Sequence, residues 1–258
     1  MRIRRIVYFA AAVTACSAAA AATGYVLAVR PWWRSWGVDH GEAERELTGD
    51  DLVPDALIAD TRGIDIGAPP EAVWPWLVQM GFDRAGWYSY DVVDMRGASA
   101  DQIDAELQTL AVGDAIPSSP QTAFVARVVD PERALVLYVD EQLIEEQMAA
   151  ARAAVDAGQP MPQTPANLRA TGAMMPSMSG FAASWAFVLE PRDGGTHTRL
   201  IERFRLTMAP DQKGGGVARS FMWLGVFVMT RKQMLGIRDR VERARRRGTD
   251  LAGSRLDP

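Results

Sequence analysis

The chain has 258 residues, 48% of them hydrophobic and 23% charged, which is enough apolar material for a folded core and excludes a disordered chain. Its net charge is −4, and setting aside Arg2, Arg4 and Arg5 leaves 25 basic against 32 acidic residues, a sign that does not suit a nucleic-acid partner. Two distant histidines, His40 and His197, and one cysteine, Cys16, cannot build a disulfide framework or a Cys/His metal site, so no cofactor or metal is expected.

Three arginines precede Ile6–Val29, an uncharged apolar run of 24 residues. At about 1.5 Å per residue, such a run can cross a hydrocarbon core of about 30 Å. Arg30, Pro31, Trp32, Trp33, Arg34 and Trp36 follow it, and a tryptophan cluster past an apolar run suits a membrane–water interface. Residues 1–30 therefore read as a single-pass anchor, with the rest of the chain outside the cytoplasmic membrane. A cleaved signal, with small residues around Ala18–Ala22, and a lipoprotein signal, with Val13-Thr14-Ala15-Cys16 as lipobox, stand as alternatives. Within 31–56, Trp36–Pro54 is polar and acidic, and the segment reads as a solvated linker with one short helix at most.

The folded domain is expected over 57–247. Ile58–Ile66 has strand character. Ala72–Met80 is a short helix with Val73, Trp76, Leu77 and Met80 on one face, Pro70 and Glu71 at its start and Gly81 at its end. Asp101–Leu110 looks helical. Strands are predicted at Asp114–Ile116, Phe124–Val129 and Ala134–Val139, separated by Pro-containing turns. Residues 140–179 form an insertion, helical over Glu141–Ala157 and then a Pro-, Met- and Ser-rich loop, which either covers a pocket mouth or is a plain flexible flap.

The strongest sheet signal follows. Phe181, Ala183, Trp185, Phe187 and Leu189 alternate with smaller or polar residues, and Asp193-Gly194 connects them to a second strand, His197–Met208. Leu200, Phe204, Leu206 and Met208 share one face of that strand. Arg199, Arg203 and Arg205 share the other, which predicts a wet outer surface. Gly214-Gly215-Gly216 reads as a hinge before one long helix, Val217–Arg247, with Phe227, Met234, Ile237 and Val241 on a stripe. Phe221–Met229 is apolar nearly all round, so that end must be buried, oligomeric or against lipid. Residues 248–258 read as a disordered tail.

A sheet with one apolar face must bury it, and the last helix is the only large partner available. The expected fold class is α+β: a curved antiparallel sheet wrapped round a long C-terminal helix, with a lined gap between them. Residues Ala68-Pro69-Pro70-Glu71-Ala72-Val73-Trp74-Pro75-Trp76-Leu77-Val78-Gln79-Met80-Gly81 and Gly86-Trp87-Tyr88-Ser89-Tyr90-Asp91, with Phe227–Ile237 near the end, resemble the SRPBCC superfamily. That is the START and birch-pollen-allergen-like helix-grip group, often labelled polyketide cyclase/dehydrase. The resemblance covers roughly Leu57–Arg246. It implies about seven strands gripping the last helix and a cavity for a lipid, isoprenoid, polyketide or similar apolar molecule. The insertion at 140–179 departs from the group's pattern.

Glu202 is the sharp anomaly, a carboxylate on the parity of Leu200, Phe204 and Leu206. Unpaired, it would have a raised pKa and exchange protons; paired with an arginine, it would be structural. The resemblance places Trp87, Tyr88 and Tyr90 near the cavity, and aromatics with polar tips suit ligand orientation. Trp185, Phe187 and Phe204 face inward on parity, with core packing as the alternative to ligand contact, whereas Arg203 falls on the outer face. His197 starts the second strand and is expected to be exposed. No nucleophile elbow, metalloprotease motif or P-loop is present, and no catalytic residue is assigned. Three functions compete: carriage of a small hydrophobic ligand at the cell envelope; a cyclase- or dehydratase-like enzyme using Glu202 and a tyrosine such as Tyr88; and an interaction protein with a packed core.

Overall fold

The computed structural model describes residues 23–25, 29–94, 97–158, 179–209 and 216–253, with side chains except at 94, 216–222 and 249–253. The apolar run Ile6–Val29 lies outside these residues apart from 23–25 and Val29, as do residues 159–178, where the Pro-, Met- and Ser-rich loop is predicted, and Gly214-Gly215. Among the described residues no helix is long and apolar enough to cross a membrane.

Chain order is α1 (Arg30–Arg34), β1 (Ile58–Ile66), α2 (Pro70–Val78), α3 (Asp91–Asp94), β2 (Ala115–Pro117), β3 (Ala123–Asp130), β4 (Ala134–Asp140), α4 (Glu141–Asp156), β5 (Ala182–Arg192), β6 (His197–Thr207) and α5 (Gly216–Gly253). The strands form one sheet in the order β1-β6-β5-β4-β3-β2, every pair antiparallel. The described residues thus contain six strands where about seven were expected. A bulge between Ala126 and Val128 of β3 breaks the register with β4, and bulges add local twist to a sheet. The β5–β6 hairpin closes on Asp193 and Gly194, both at positive φ (49° and 67°), which is why Asp-Gly serves there.

The strong amphipathic patterns form the elements they predict. Asp140 caps α4, its carboxylate accepting from the Leu143 amide at 2.8 Å. The α5 stripe, Phe227, Met234, Ile237 and Val241, is fully buried. Met234, Ile237 and Val241 meet Ile64, Ile66, Leu135, Leu137, Phe187 and Leu200 from the sheet and Val73, Trp76 and Leu77 from α2 in one core. A second cluster gathers Trp33, Ile58, Val139, Ala183, Leu206, Trp223 and Phe227 at the other end of α5's buried stripe. The helix continues past Arg247 to Gly253.

Three expectations need correcting. Asp101–Leu110 is not a helix beyond one turn at Ala105–Leu107. Asp104 spends its carboxylate on the nearby Glu106 amide, while its own amide goes to Gln79 Oε1 at 2.9 Å. Leu107 and Leu110 pack on the core from an irregular segment.

The outer face of β6 is not wet, and residues 37–54 are not a solvated linker. This segment lies across the sheet as a strap. Arg199 bonds Glu42 through two nitrogens (3.0 and 2.7 Å) and the Gly37 carbonyl at 2.6 Å. Arg203 bonds Asp50 at 2.6 Å and the carbonyls of Glu42, Ala43 and Arg45. Arg205 reaches the carbonyls of Val53 and Pro54. Arg199 and Arg203 are therefore buried, and Leu47 and Val53 of the strap are buried with them. Guanidinium forks answer a row of unpaired carbonyls well, because each offers five donors in fixed geometry. Where the strap enters, the Gly63 amide bonds the Trp36 carbonyl at 3.1 Å. Gly37, at φ 70°, sits so close that a side chain there would overlap the Gly63 carbonyl.

Candidate functional site

Strand register sets the inner surface. Ile58, Asp60, Arg62, Ile64 and Ile66 of β1 lie opposite Leu206, Phe204, Glu202, Leu200 and Thr198 of β6. Trp185 and Phe187 of β5 lie opposite Phe204 and Glu202. Parity therefore brings Trp185, Phe187, Glu202 and Phe204 together, as expected. Trp87 joins them from the segment after α2, stacked on Trp185 with ring centroids 5.4 Å apart and planes 23° from parallel. Trp185 also lies 5.1 Å from Phe187, 5.8 Å from Phe124 and 6.3 Å from Phe204, and Phe204 lies 6.1 Å from Trp223 of α5. Trp87 and Phe187 are buried, whereas Phe124, Trp185 and Phe204 keep part of their surface exposed.

Glu202 sits in the middle of these rings with no solvent contact. Arg62 Nη1 donates to its Oε2 at 2.9 Å and Trp185 Nε1 to its Oε1 at 2.6 Å, so both carboxylate oxygens are engaged. The other end of Arg62 donates to Asp60 Oδ2 at 3.3 Å, and Asp60 receives Arg34 Nε from α1 at 2.5 Å. The Arg62 guanidinium carbon lies 5.7 Å from the centre of the Phe227 ring, a cation–π approach. Burial pushes the Glu202 carboxyl above its usual range; the Arg62 charge and the bonds from Arg62 and Trp185 pull the other way without cancelling it. The result is a row of alternating charges, half-buried Arg34 and then buried Asp60, Arg62 and Glu202, two of each sign. Of the two readings of Glu202, pairing with an arginine is the one present.

The other two predicted aromatics are elsewhere. Tyr88, at φ 58°, is buried in the main core, edge-on to Trp76 with centroids 5.8 Å apart. Its hydroxyl donates to the Trp76 carbonyl at 3.1 Å and accepts from Gln79 Nε2 at 2.9 Å. Burial drives its pKa far above the ordinary tyrosine value. Arg240 of α5 lies 4.9 Å from the centre of its ring. Tyr90 is 45% exposed. His197 is exposed, as expected, and Arg203 is on the outer face, though buried by the strap.

Sequence reasoning missed Arg62, Asp60, Arg34, Trp33, Trp223 and Phe227 as members of this site. A signal existed for two of them, since Asp60 and Arg62 share the parity of Ile58, Ile64 and Ile66. Two polar surface clefts are also present. One, of about 350 Å³, lies between the strap and Arg203 and Arg205; the other, of about 260 Å³, lies between Arg84 and Glu106, Leu107, Thr109, Leu110, Asp114 and Ala115. Neither includes a predicted site residue. Among the described residues no three His, Cys, Asp or Glu side chains group as metal ligands.

The sheet order, the antiparallel pairing and the long terminal helix across the inner face match the architecture implied by the residues quoted above. The fold is α+β, one antiparallel sheet of six described strands with a long C-terminal helix packed on its inner face. The sequence matches no protein-family model and no curated protein. Among solved structures, a protein from Mesorhizobium loti is similar over 71% of this chain and 97% of its own, with 16% identity and a TM-score of 0.32. An uncharacterized protein from Rhizobium leguminosarum is similar over 72% of this chain and 95% of its own, with 12% identity and a TM-score of 0.31. A solution structure titled as a Polyketide_cyc-like protein from Corynebacterium glutamicum is similar over 80% of this chain and all of its own, with 14% identity and a TM-score of 0.30.

Proposed function

We propose that this helix-grip chain binds and carries a small apolar molecule against Trp87, Phe124, Trp185, Phe187 and Phe204, without transforming it. The observation that carries this reading is the contrast within the site. The rings of Phe124, Trp185 and Phe204 are left part-exposed on the inner face of the sheet, while the carboxylate beside them is engaged through both oxygens. Exposed aromatic surface facing inward is a contact for a ligand, and a carboxylate already bonded to a guanidinium and an indole is poorly placed to move a proton. The competing cyclase-like reading requires Glu202 to work with a tyrosine. Tyr88 has its hydroxyl bonded to Trp76 and Gln79, and Glu202 is bonded to Arg62 and Trp185, which favours carriage.

The apolar run Ile6–Val29 supports placing this activity at a membrane, as a single-pass protein with the domain outside the cytoplasm. Native mass spectrometry of the full chain in mild detergent, followed by organic extraction, tests the binding reading. The expected result is a co-purifying apolar molecule whose occupancy falls at least fivefold in Trp185→Ala. Wild-type protein that emerges empty and takes up no added lipid or isoprenoid would count against it.

A further inference from the structure

Six buried side-chain polar atoms lack a hydrogen-bond partner among the described residues, and three of them are N–H donors at one place: Arg62 Nε, Trp33 Nε1 and Trp223 Nε1. The three residues are 0%, 3% and 8% exposed. All three lie around the Phe227 ring. Arg62 approaches it at 5.7 Å and Trp33 at 6.1 Å between ring centroids. Trp223 precedes Phe227 by one helical turn, so both share a face of α5, and both belong to the cluster that contains Trp33. Buried donors are nearly always satisfied, because leaving one without an acceptor forfeits the bond it made to water. Three in one cluster are the imprint of acceptors that the described residues do not supply.

The charges say which kind of acceptor. Arg34 and Arg62 are matched by Asp60 and Glu202, so the row has no surplus positive charge to hold an anion. Two of the free donors are neutral indoles, and the third is on a guanidinium already bonded to two carboxylates. We propose that this end of the site takes a neutral hydrogen-bond acceptor, a carbonyl or ether oxygen, carried by an otherwise apolar ligand. The body of that ligand lies along Phe204, Trp185 and Phe124, linked to this end through the Phe204–Trp223 contact at 6.1 Å. The inference rests on the binding reading and adds the ligand's chemical class. It also makes Trp33 of α1, a residue before the domain, a ligand-recognition residue.

The test uses the full-length chain with 2-decanone, decane and decanoate as probes, titrated by native mass spectrometry. The expected result is 2-decanone bound at least tenfold more tightly than decane. In Trp33→Phe/Trp223→Phe, which keeps an aromatic ring at each position and removes the indole donors, that preference disappears while decane binding holds. A measurement on wild type alone guards against misfolding of the variant: the stretching band of ¹³C-carbonyl 2-decanone moves to lower frequency on binding, as a hydrogen-bonded ketone must. Equal binding of ketone and alkane, or an unshifted band, overturns the acceptor proposal and leaves the apolar site standing. Decanoate binding most tightly, with the preference lost in the double variant, overturns the neutral class. Failure of all three probes overturns this proposal together with the binding reading.

Discussion

Arg62 and Glu202 face each other across β1 and β6, fully buried, and the interior is organised around them. Removing one member of a buried pair costs far more than the pair contributes, because the partner keeps its desolvation penalty. Arg62→Met leaves both Glu202 and Asp60 without their shared cation, and the expected loss is about 3–5 kcal/mol in urea unfolding. Glu202→Gln keeps one acceptor oxygen, for either Trp185 or Arg62, and sets an NH2 group against the other donor, and the expected loss is about 1–3 kcal/mol. A loss in the double variant Arg62→Met/Glu202→Gln equal to the sum of the two single losses would mean that the two charges are not energetically coupled. The pair also has a pH signature. Glu202 holds its proton more firmly folded than unfolded, so its contribution to stability grows as pH falls through the raised folded value and is complete below the unfolded value of about 4.5. Wild type should therefore gain on Glu202→Gln as pH is lowered from neutral towards that value, which paired urea titrations would show.

At the scale of elements, α5 is held down where it lacks a side chain. A methyl group on Gly236 would overlap the Tyr88 carbonyl, so this glycine sets how closely the helix approaches the segment carrying Trp87 and Tyr88. Glycine to alanine inside a helix otherwise stabilises by about 1 kcal/mol, so the sign of the change discriminates. Gly236→Ala is expected to destabilise by about 1–3 kcal/mol and lower the melting temperature, since overpacking against backbone cannot relax cheaply. A rise in melting temperature would place the helix further from Tyr88. The strands show how legible an element is when its pattern and its turn are local. Alternation in 181–208 predicted the β5–β6 hairpin and the inward side of Trp185, Phe187, Glu202 and Phe204. The single turn at Ala105–Leu107 was not legible, because the amide of Asp104 is claimed by Gln79 at the end of α2, 25 residues earlier.

For the whole molecule, the strap is the feature that joins N-terminal segment to domain. Burial alone would raise the Glu42 carboxyl, but the Arg199 bonds, the Asp39 amide and the charges of Arg199 and Arg45 outweigh it and hold the pKa below the usual carboxylate range. The sign is opposite to that of Glu202. Stability from Glu42 is fully present above its unfolded value of about 4.5 and is lost as pH falls through the lower folded value. Glu42→Gln should flatten acid unfolding below about pH 4.5 and make the 38–54 segment cleavable by added protease at neutral pH. Unchanged acid unfolding, with the segment still protected, would show that Arg203 and Arg205 hold the strap without it. Next to the strap, α1 supplies Arg34 and Trp33 to the interior.

By itself the sequence determined the periodic parts: the antiparallel hairpin, the long terminal helix with its buried stripe, and an inward carboxylate at 202. Those follow from spacing along one strand or one helix, which local geometry dictates. Only the tertiary structure decided which charges meet. Arg62 and Glu202 are 140 residues apart, Arg199 and Glu42 157 apart, and Trp33 and Trp223 come from opposite ends of the chain. Parity can say which way such a side chain points. What waits there depends on chain closure, and nothing local in the sequence encodes it.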